Sequence, residues 1–250
     1  MNMKSSASRL ETKPRLGAWM SIGSPVIAEL AALTGFDWLL FDLEHGSGSE
    51  AALLPQLQAI RGTNTAGIVR VGAPHPDLIA RVLDWGAHGI MVPHVNSAAE
   101  AEAIVQAAHY PPRGRRGYSR TVRAHDYGLR SPEQSPTPVI MAQIESIEGV
   151  NHAVEIAQIK GVDVLFVGPA DLQHDLIHST HAAPGDFTEC LNLVVAAAKG
   201  AGKETGILVR DPADVPHYLG LGFTQIAIDS DLAILRKSWQ QTLFTLDSQV

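Results

Sequence analysis

Cysteine is nearly absent from this chain. Cys190 is the only one, so no internal disulfide can form. That usage suits a reducing compartment and a cytoplasmic location. Long apolar runs are also missing, and none reaches the ~20 residues that span a bilayer. Residues 1–14 lack the apolar centre of a secretory signal. Their serines and Arg9 leave a transit peptide open, but a flexible N-terminal tail is the simpler expectation. Positive charge is in deficit: 19 Lys and Arg face 26 Asp and Glu, for a formal net charge of −7. Such a chain is a poor overall field for nucleic acid or an anionic membrane. No G-x-G-x-x-G follows the first apolar run, which argues against an open dinucleotide-binding sheet.

What is present is globular. Hydrophobic residues make up 45% of 250 residues, enough for a large core in one domain. Apolar runs recur at Leu16–Met20, Asp37–Asp42, Gly67–Val71, Gly89–Val92, Pro138–Ile144, Asp163–Val167, Thr205–Val209 and Gln225–Asp229. Between them, Pro25–Thr34, Glu50–Arg61, Pro76–Trp85, Ser97–His109, Ile147–Gln158, Phe187–Ala201 and Pro212–Leu219 space apolar residues by three and four, as helices do. Alternating strands and helices pair in parallel. Eight such units predict an α/β fold, a single (β/α)8 TIM barrel over residues 15–250. Ser24-Pro25 and Asp211-Pro212 read as helix starts, and Ser97 with Glu100 as a capping box.

One connection breaks the pattern. Tyr110 to Thr137 is rich in proline and glycine and holds six arginines. Loops of this length are usually functional or mobile, and a solvated basic surface is the alternative.

Barrel enzymes gather their chemistry at the C-terminal ends of the strands. Here those ends carry Asp42, Glu44 and His45; Arg70; Pro93 and His94; Gln143 and Glu145; Gly168 to Asp171; Arg210; and Asp229. Glu145 and Asp171 fall on adjacent strand ends and can share one hard divalent cation, leaving positions for water and substrate. As helix caps they would be structural. His45 is the best general acid/base candidate, because imidazole titrates near neutrality, with His94 its nearest competitor. Arg70 beside a cation suits an anionic oxygen. None of the lysines (4, 13, 160, 199, 203, 237) lies at a strand's C-terminal end, so imine chemistry lacks its nucleophile. His174, His178 and His181 have helical spacing but read as a polar surface turn, and Cys190 as core.

Asp42-Leu43-Glu44-His45-Gly46, Val69-Arg70-Val71, Gln143-Ile144-Glu145 and Gly168-Pro169-Ala170-Asp171-Leu172 together resemble the motif set of the HpcH/HpaI aldolases. Pro111-Pro112-Arg113-Gly114-Arg115-Arg116-Gly117 is similar to that family's proline-glycine-arginine loop. These are class II pyruvate aldolases and include 4-hydroxy-2-oxoheptanedioate aldolase. The resemblance runs from about Leu16 to about Leu235. It implies a lyase acting on a 2-oxo acid and an aldehyde, with Mg2+, Mn2+ or Co2+ held by Glu145 and Asp171. It further implies His45 as acid/base, Arg70 as stabiliser of enolate charge, and Gln143 with the backbone of Ala170 and Asp171 as pyruvoyl binders. Asp84 matches an acidic residue that sharpens the histidine. It ends a helix, on the face opposite the mouth, so a neighbouring subunit must supply it. A homo-oligomer, a hexamer, is therefore expected. The segment after Asp171 reads Gln173-His174-Asp175, where the family usually has Ser-Leu-Gly. That departure leaves open a citrate-synthase-like or macrophomate-synthase-like condensing enzyme. A catalytically silent barrel is the third reading.

Overall fold

The computed structural model describes residues 13–131 and 136–247, so most of the expected tail lies outside the described residues. Eight parallel strands close into a barrel in chain order. They are β1 (Arg15–Met20), β2 (Trp38–Asp42), β3 (Ala66–Arg70), β4 (Gly89–Val92), β5 (Val139–Ile144), β6 (Val164–Val167), β7 (Glu204–Val209) and β8 (Gln225–Ser230). Around them run α1 (Pro25–Thr34), α2 (Glu50–Ala59), α3 (Pro76–Asp84), α4 (Ala98–Ala108), α5 (Ile147–Asn151), α6 (Ala153–Gln158), α7 (Pro169–His178), α8 (Phe187–Gly200), α9 (Val215–Leu221) and α10 (Asp231–Asp247).

Local chemistry explains the helix starts. Ser24 accepts from the Ile27 amide with Pro25 at the first helical position. Ser97 and Glu100 form the expected capping box on α4. Asp211 caps a short 3-10 turn that leads into α9. Two expectations need correction. The helix expected over Ile147–Gln158 is broken at His152, whose ψ of 13° departs from helical values and separates α5 from α6. The His174–His181 segment is not a surface turn throughout. His174 and His178 sit on α7 one turn apart, with ring centroids at 4.4 Å, and only His181 lies beyond its end.

Residues alternate between two cores. Trp19, Trp38, Leu40, Ile68, Met91, Met141, Val164, Phe166 and Ala227 fill the barrel interior. The opposite phase packs against the helices, with Cys190 fully buried on α8. Small residues offset the large rings: a side chain at Gly17 would overlap the Trp38 indole. The interior phase carries upward into polar residues. Asp42 follows Trp38 and Leu40, Arg70 follows Ile68, and Gln143 follows Met141.

The last helix is the exception to this packing. Asp231 anchors its start by accepting from the amides of Ser21 and Ile22. Beyond that, α10 buries no further residue, and Leu232, Ile234, Trp239, Leu243, Phe244 and Leu246 are exposed. On α1, Val26, Leu30 and Leu33 are exposed as well.

Candidate active site

Asp42 is the hub of the mouth. Its carboxylate accepts from Trp19 Nε1, from Arg70 Nε and Nη2, and from the amides of Glu44 and His45. Burial alone would raise its pKa. The Arg70 guanidinium and these hydrogen bonds outweigh that and hold it below the usual carboxylate value. Arg70 is equally committed. Its Nη1 lies 2.6 Å from Glu44 Oε2, and its guanidinium carbon sits 4.9 Å from the Trp19 ring centre. Arg70 is therefore fixed at the floor of the mouth between two carboxylates, with one face against an indole.

Glu145 stands at the end of β5, its side chain 1% exposed. It accepts from the His94 amide at 2.8 Å, from Gln143 Nε2, and faces His94 Nδ1 at 3.1 Å. Burial pushes its carboxyl up to about 7. His94 pulls it down, and the nearby negative charges of Asp171 and Glu44 push it further up. Gly168 must be glycine, because a Cβ there would overlap Glu145 and Gln143. His94 adopts φ +53°, a left-handed backbone that costs energy for a non-glycine residue and aims its amide at Glu145.

Asp171 occupies the first turn of α7. Gly168 is the N-cap and makes no side-chain cap, so neither Glu145 nor Asp171 is a capping residue. Ser146, not Glu145, caps α5. The first turn of α7, including Ala170, keeps amide donors available for an anionic group. Two oxygen ligands from β5 and α7 suit a hard divalent cation that completes its shell with water and substrate. Three features fit that group: the destabilised charge on Glu145, the electrostatic proximity of Asp171, and Gln143 Oε1, buried without a hydrogen-bond partner. Among the described residues no cluster of three or more ligating side chains forms.

His45 lies on the rim, its side chain 69% exposed and 4.0 Å from Glu44. His94 is the imidazole packed against Glu145. Asp84 ends α3 and pairs with Arg116 of the long loop at 2.5 Å, so it belongs to the end of the barrel opposite His45. The sequence placed Asp42, Glu44 and His94 at strand ends but assigned Asp42 no role, and it passed over Trp19. The signal for both was their phase with the interior residues of β1 and β2. No lysine among the described residues lies on a strand end, as expected, but Lys237 reaches the ends of β7 and β8 from α10, donating to the Arg210 carbonyl at 3.0 Å and to Asp229 at 2.6 Å.

Comparison with known proteins bears on the family and the fold. The sequence matches HpcH/HpaI aldolase/citrate lyase over residues 15–238. It is 38% identical over 230 residues to a 5-keto-4-deoxy-D-glucarate aldolase of Salmonella gallinarum, covering 91% of this chain and 90% of that protein. The crystal structure of an HpcH/HpaI aldolase/citrate lyase family protein from Burkholderia cenocepacia superposes with a TM-score of 0.88 at 34% identity, covering 94% of this chain and 95% of that one. The citrate synthase SbnG superposes with a TM-score of 0.81 at 26% identity, covering 95% and 94%. On the match along nearly its whole length and on the shared barrel, the chain belongs to the HpcH/HpaI aldolase/citrate lyase family.

Proposed function

We propose that the chain is a divalent-metal-dependent aldolase that cleaves or forms 4-hydroxy-2-oxo acids, with pyruvate and an aldehyde as the partners. The observation that carries this reading is Glu145: a buried carboxylate at a strand end, raised in pKa by burial and by the negative charges of Asp171 and Glu44, and flanked by a Gln143 oxygen with no partner among the described residues. When bound by Glu145 and Asp171, a cation supplies Lewis-acid stabilisation of negative charge on the 2-oxo oxygen. The first-turn amides of α7 receive the substrate carboxylate. His45, exposed at the rim, accepts the proton of the C4 hydroxyl. The C3–C4 bond then breaks, its electron pair passes into the enolate, and the aldehyde leaves. Arg70, held rigid by Asp42 and Glu44, offers the guanidinium N–H groups those carboxylates leave free to the enolate oxygen, and the proton taken up by His45 passes to the enolate carbon.

The names of the relatives point to a polyhydroxylated diacid such as 5-keto-4-deoxy-D-glucarate as the substrate type. Pyruvate release from a panel of 4-hydroxy-2-oxo acids that includes it, with and without chelator, tests the reading. Release that stops on chelation and returns with Mg2+, Mn2+ or Co2+ is expected. No release from any of the panel would overturn it.

The metal makes a further expectation pH-dependent. Glu145 in the folded chain keeps a proton that the unfolded chain has already lost between its ordinary value of 4.5 and about 7. In the metal-free protein its contribution to stability therefore falls as pH rises through that window. A cation has to displace the same proton. Mg2+ affinity should rise from about pH 5 to about pH 7 and then level off, with net proton release near pH 6. Calorimetry in buffers of different ionisation enthalpy measures both. An affinity flat across that range would contradict the assignment of Glu145.

Imine formation has no support here. Lys237 reaches the β7 and β8 ends, but its ammonium is held by Asp229. Borohydride with pyruvate should leave every lysine unmodified in the mass spectrum. A reduced adduct on Lys237 with loss of activity would show an imine mechanism instead.

The working unit in this proposal is a homo-oligomer, a hexamer by family resemblance. The exposed apolar rows of α10 and α1 support burial against a second copy. In the assembled form proposed here, Asp84 of one copy, at the end of α3, serves a neighbour's His45.

A further inference from the structure

The barrel end opposite the mouth has a second cavity, which the proposed reaction does not use. It has a volume of about 480 Å3, within the size range of small-ligand sites. Its walls come from the residues before β3, β4 and β5, from the C-terminal ends of α2, α3 and α4, and from the arginine-rich connection that folds beneath them. Arg61, Arg113, Arg116, Arg123 and Arg130 all line it.

That is a large positive excess in a chain of net charge −7. Asp126 is shared by Arg61 and Arg130, and Asp84 takes Arg116. Arg123 is met by the carbonyls of Trp85 and Leu57, with no carboxylate. Asp163 feels Arg113 but is also faced by Lys203. The C-termini of α2, α3 and α4 contribute about half a negative charge each. Together with the two aspartates, these leave an excess of about one to two positive charges among the described residues around the cavity.

Two further observations register that excess. His109, on the cavity wall, is pushed down to about 4 by burial and by Arg113 and Arg116, and His88 is lowered by burial and Arg123. Among the described residues, Arg116 Nε, Arg123 Nε and a ring nitrogen of His109 are buried without a hydrogen-bond partner, and Arg116 and His109 are each more than nine-tenths buried. Leaving the two guanidinium donors unmade is costly. The loop also passes through left-handed backbone at Asp126 and Tyr127, so it is held in this shape against local strain.

We propose that this cavity is a binding site for a small multivalent oxyanion, phosphate or polycarboxylate, on the face of the barrel opposite the mouth. Guanidiniums match both chemistries in geometry and charge. The site stands on the cavity itself and does not rest on the reaction assigned to the mouth, although Arg116 on its wall pairs with the Asp84 which that proposal gives to a neighbour's His45.

The test is calorimetric titration of the full chain in Mg2+ with inorganic phosphate and, separately, with tricarballylate. Saturable binding of at least one is expected, and the arm that binds more tightly identifies the chemistry. Arg113→Gln with Arg130→Gln should weaken it by about tenfold or more, as loss of charge-assisted contacts does. Arg113→Lys with Arg130→Lys keeps the charge and should stay closer to wild type. In the unsubstituted protein, hydrogen exchange across residues 109–130 should slow when the anion is added. That measurement keeps the question open to disproof if the glutamine variant misfolds. The proposal fails if neither anion binds up to about 10 mM. It fails equally if the folded glutamine variant binds like wild type, or if exchange at 109–130 does not respond.

Discussion

Glu145→Gln should lower pyruvate release by about three orders of magnitude or more while the barrel stays folded. Glutamine has nearly the shape of glutamate, so its oxygen can still accept from the His94 amide, while its NH2 donates to Gln143 Oε1 once the Gln143 amide turns over. What is lost is the anionic oxygen. A neutral amide matches the burial of this position better than a carboxylate whose charge is already disfavoured there. The metal-free variant should therefore melt no lower than the metal-free wild type near neutral pH. Asp171→Asn should act in the same direction with less effect on stability, because Asp171 is exposed. Mg2+ should raise the melting temperature of wild type and fail to do so in either variant. Full activity in Glu145→Gln, or after exhaustive chelation of wild type, would remove the metal from the mechanism.

Mixed oligomers of Asp84→Ala and His45→Ala chains should recover activity that neither possesses alone. His45→Ala by itself should lose about 10²–10⁴-fold, the range for a positioned acid/base group. Asp84 is at the wrong end of its own barrel to assist, since it closes α3 and pairs with Arg116. A barrel with its helices is about 40 Å across. Only a second copy can bring an Asp84 to the rim. Symmetric assembly repeats that contact at every site, so a mixed oligomer contains some sites with both groups intact. Denaturing and reassembling equal amounts, with mass spectrometry to confirm mixing, gives the measurement. Recovery above the sum of the separate variants is expected. Verified mixed oligomers with no recovery, or an active monomer, would show that each barrel works alone.

The barrel was legible because its determinants are local and periodic. Apolar runs such as Gly89–Val92 are buried on both faces and bounded by turn residues, and the helices between them start on side-chain caps such as Ser24 and Ser97. The strand order follows from parallel pairing of consecutive units. The strand-end residues were legible for the same reason: Arg70, Gln143 and Glu145 lie where the strand periodicity ends. Errors arose where local pattern is weak. His152 breaks a helix without a proline or glycine to announce it. The polar α7 has few apolar residues, so its histidines read as a turn.

By itself the sequence determined the eight-fold alternation, the strand ends and therefore which residues share the mouth, because side-chain phase along a strand is a local property. Only the tertiary structure decided how those residues act on one another. Asp42 became a hub because closing the barrel brought Trp19, from β1, and Arg70, from β3, onto one carboxylate. Glu145 acquired its raised pKa from burial and from charges on β2 and α7, none of which is its sequence neighbour. Lys237 was brought to Asp229 by the course of α10. The arginines of the long connection became a cavity wall because the loop folds under the ends of three helices. Each of these depends on desolvation and on charge at a distance, and both are properties of the closed barrel.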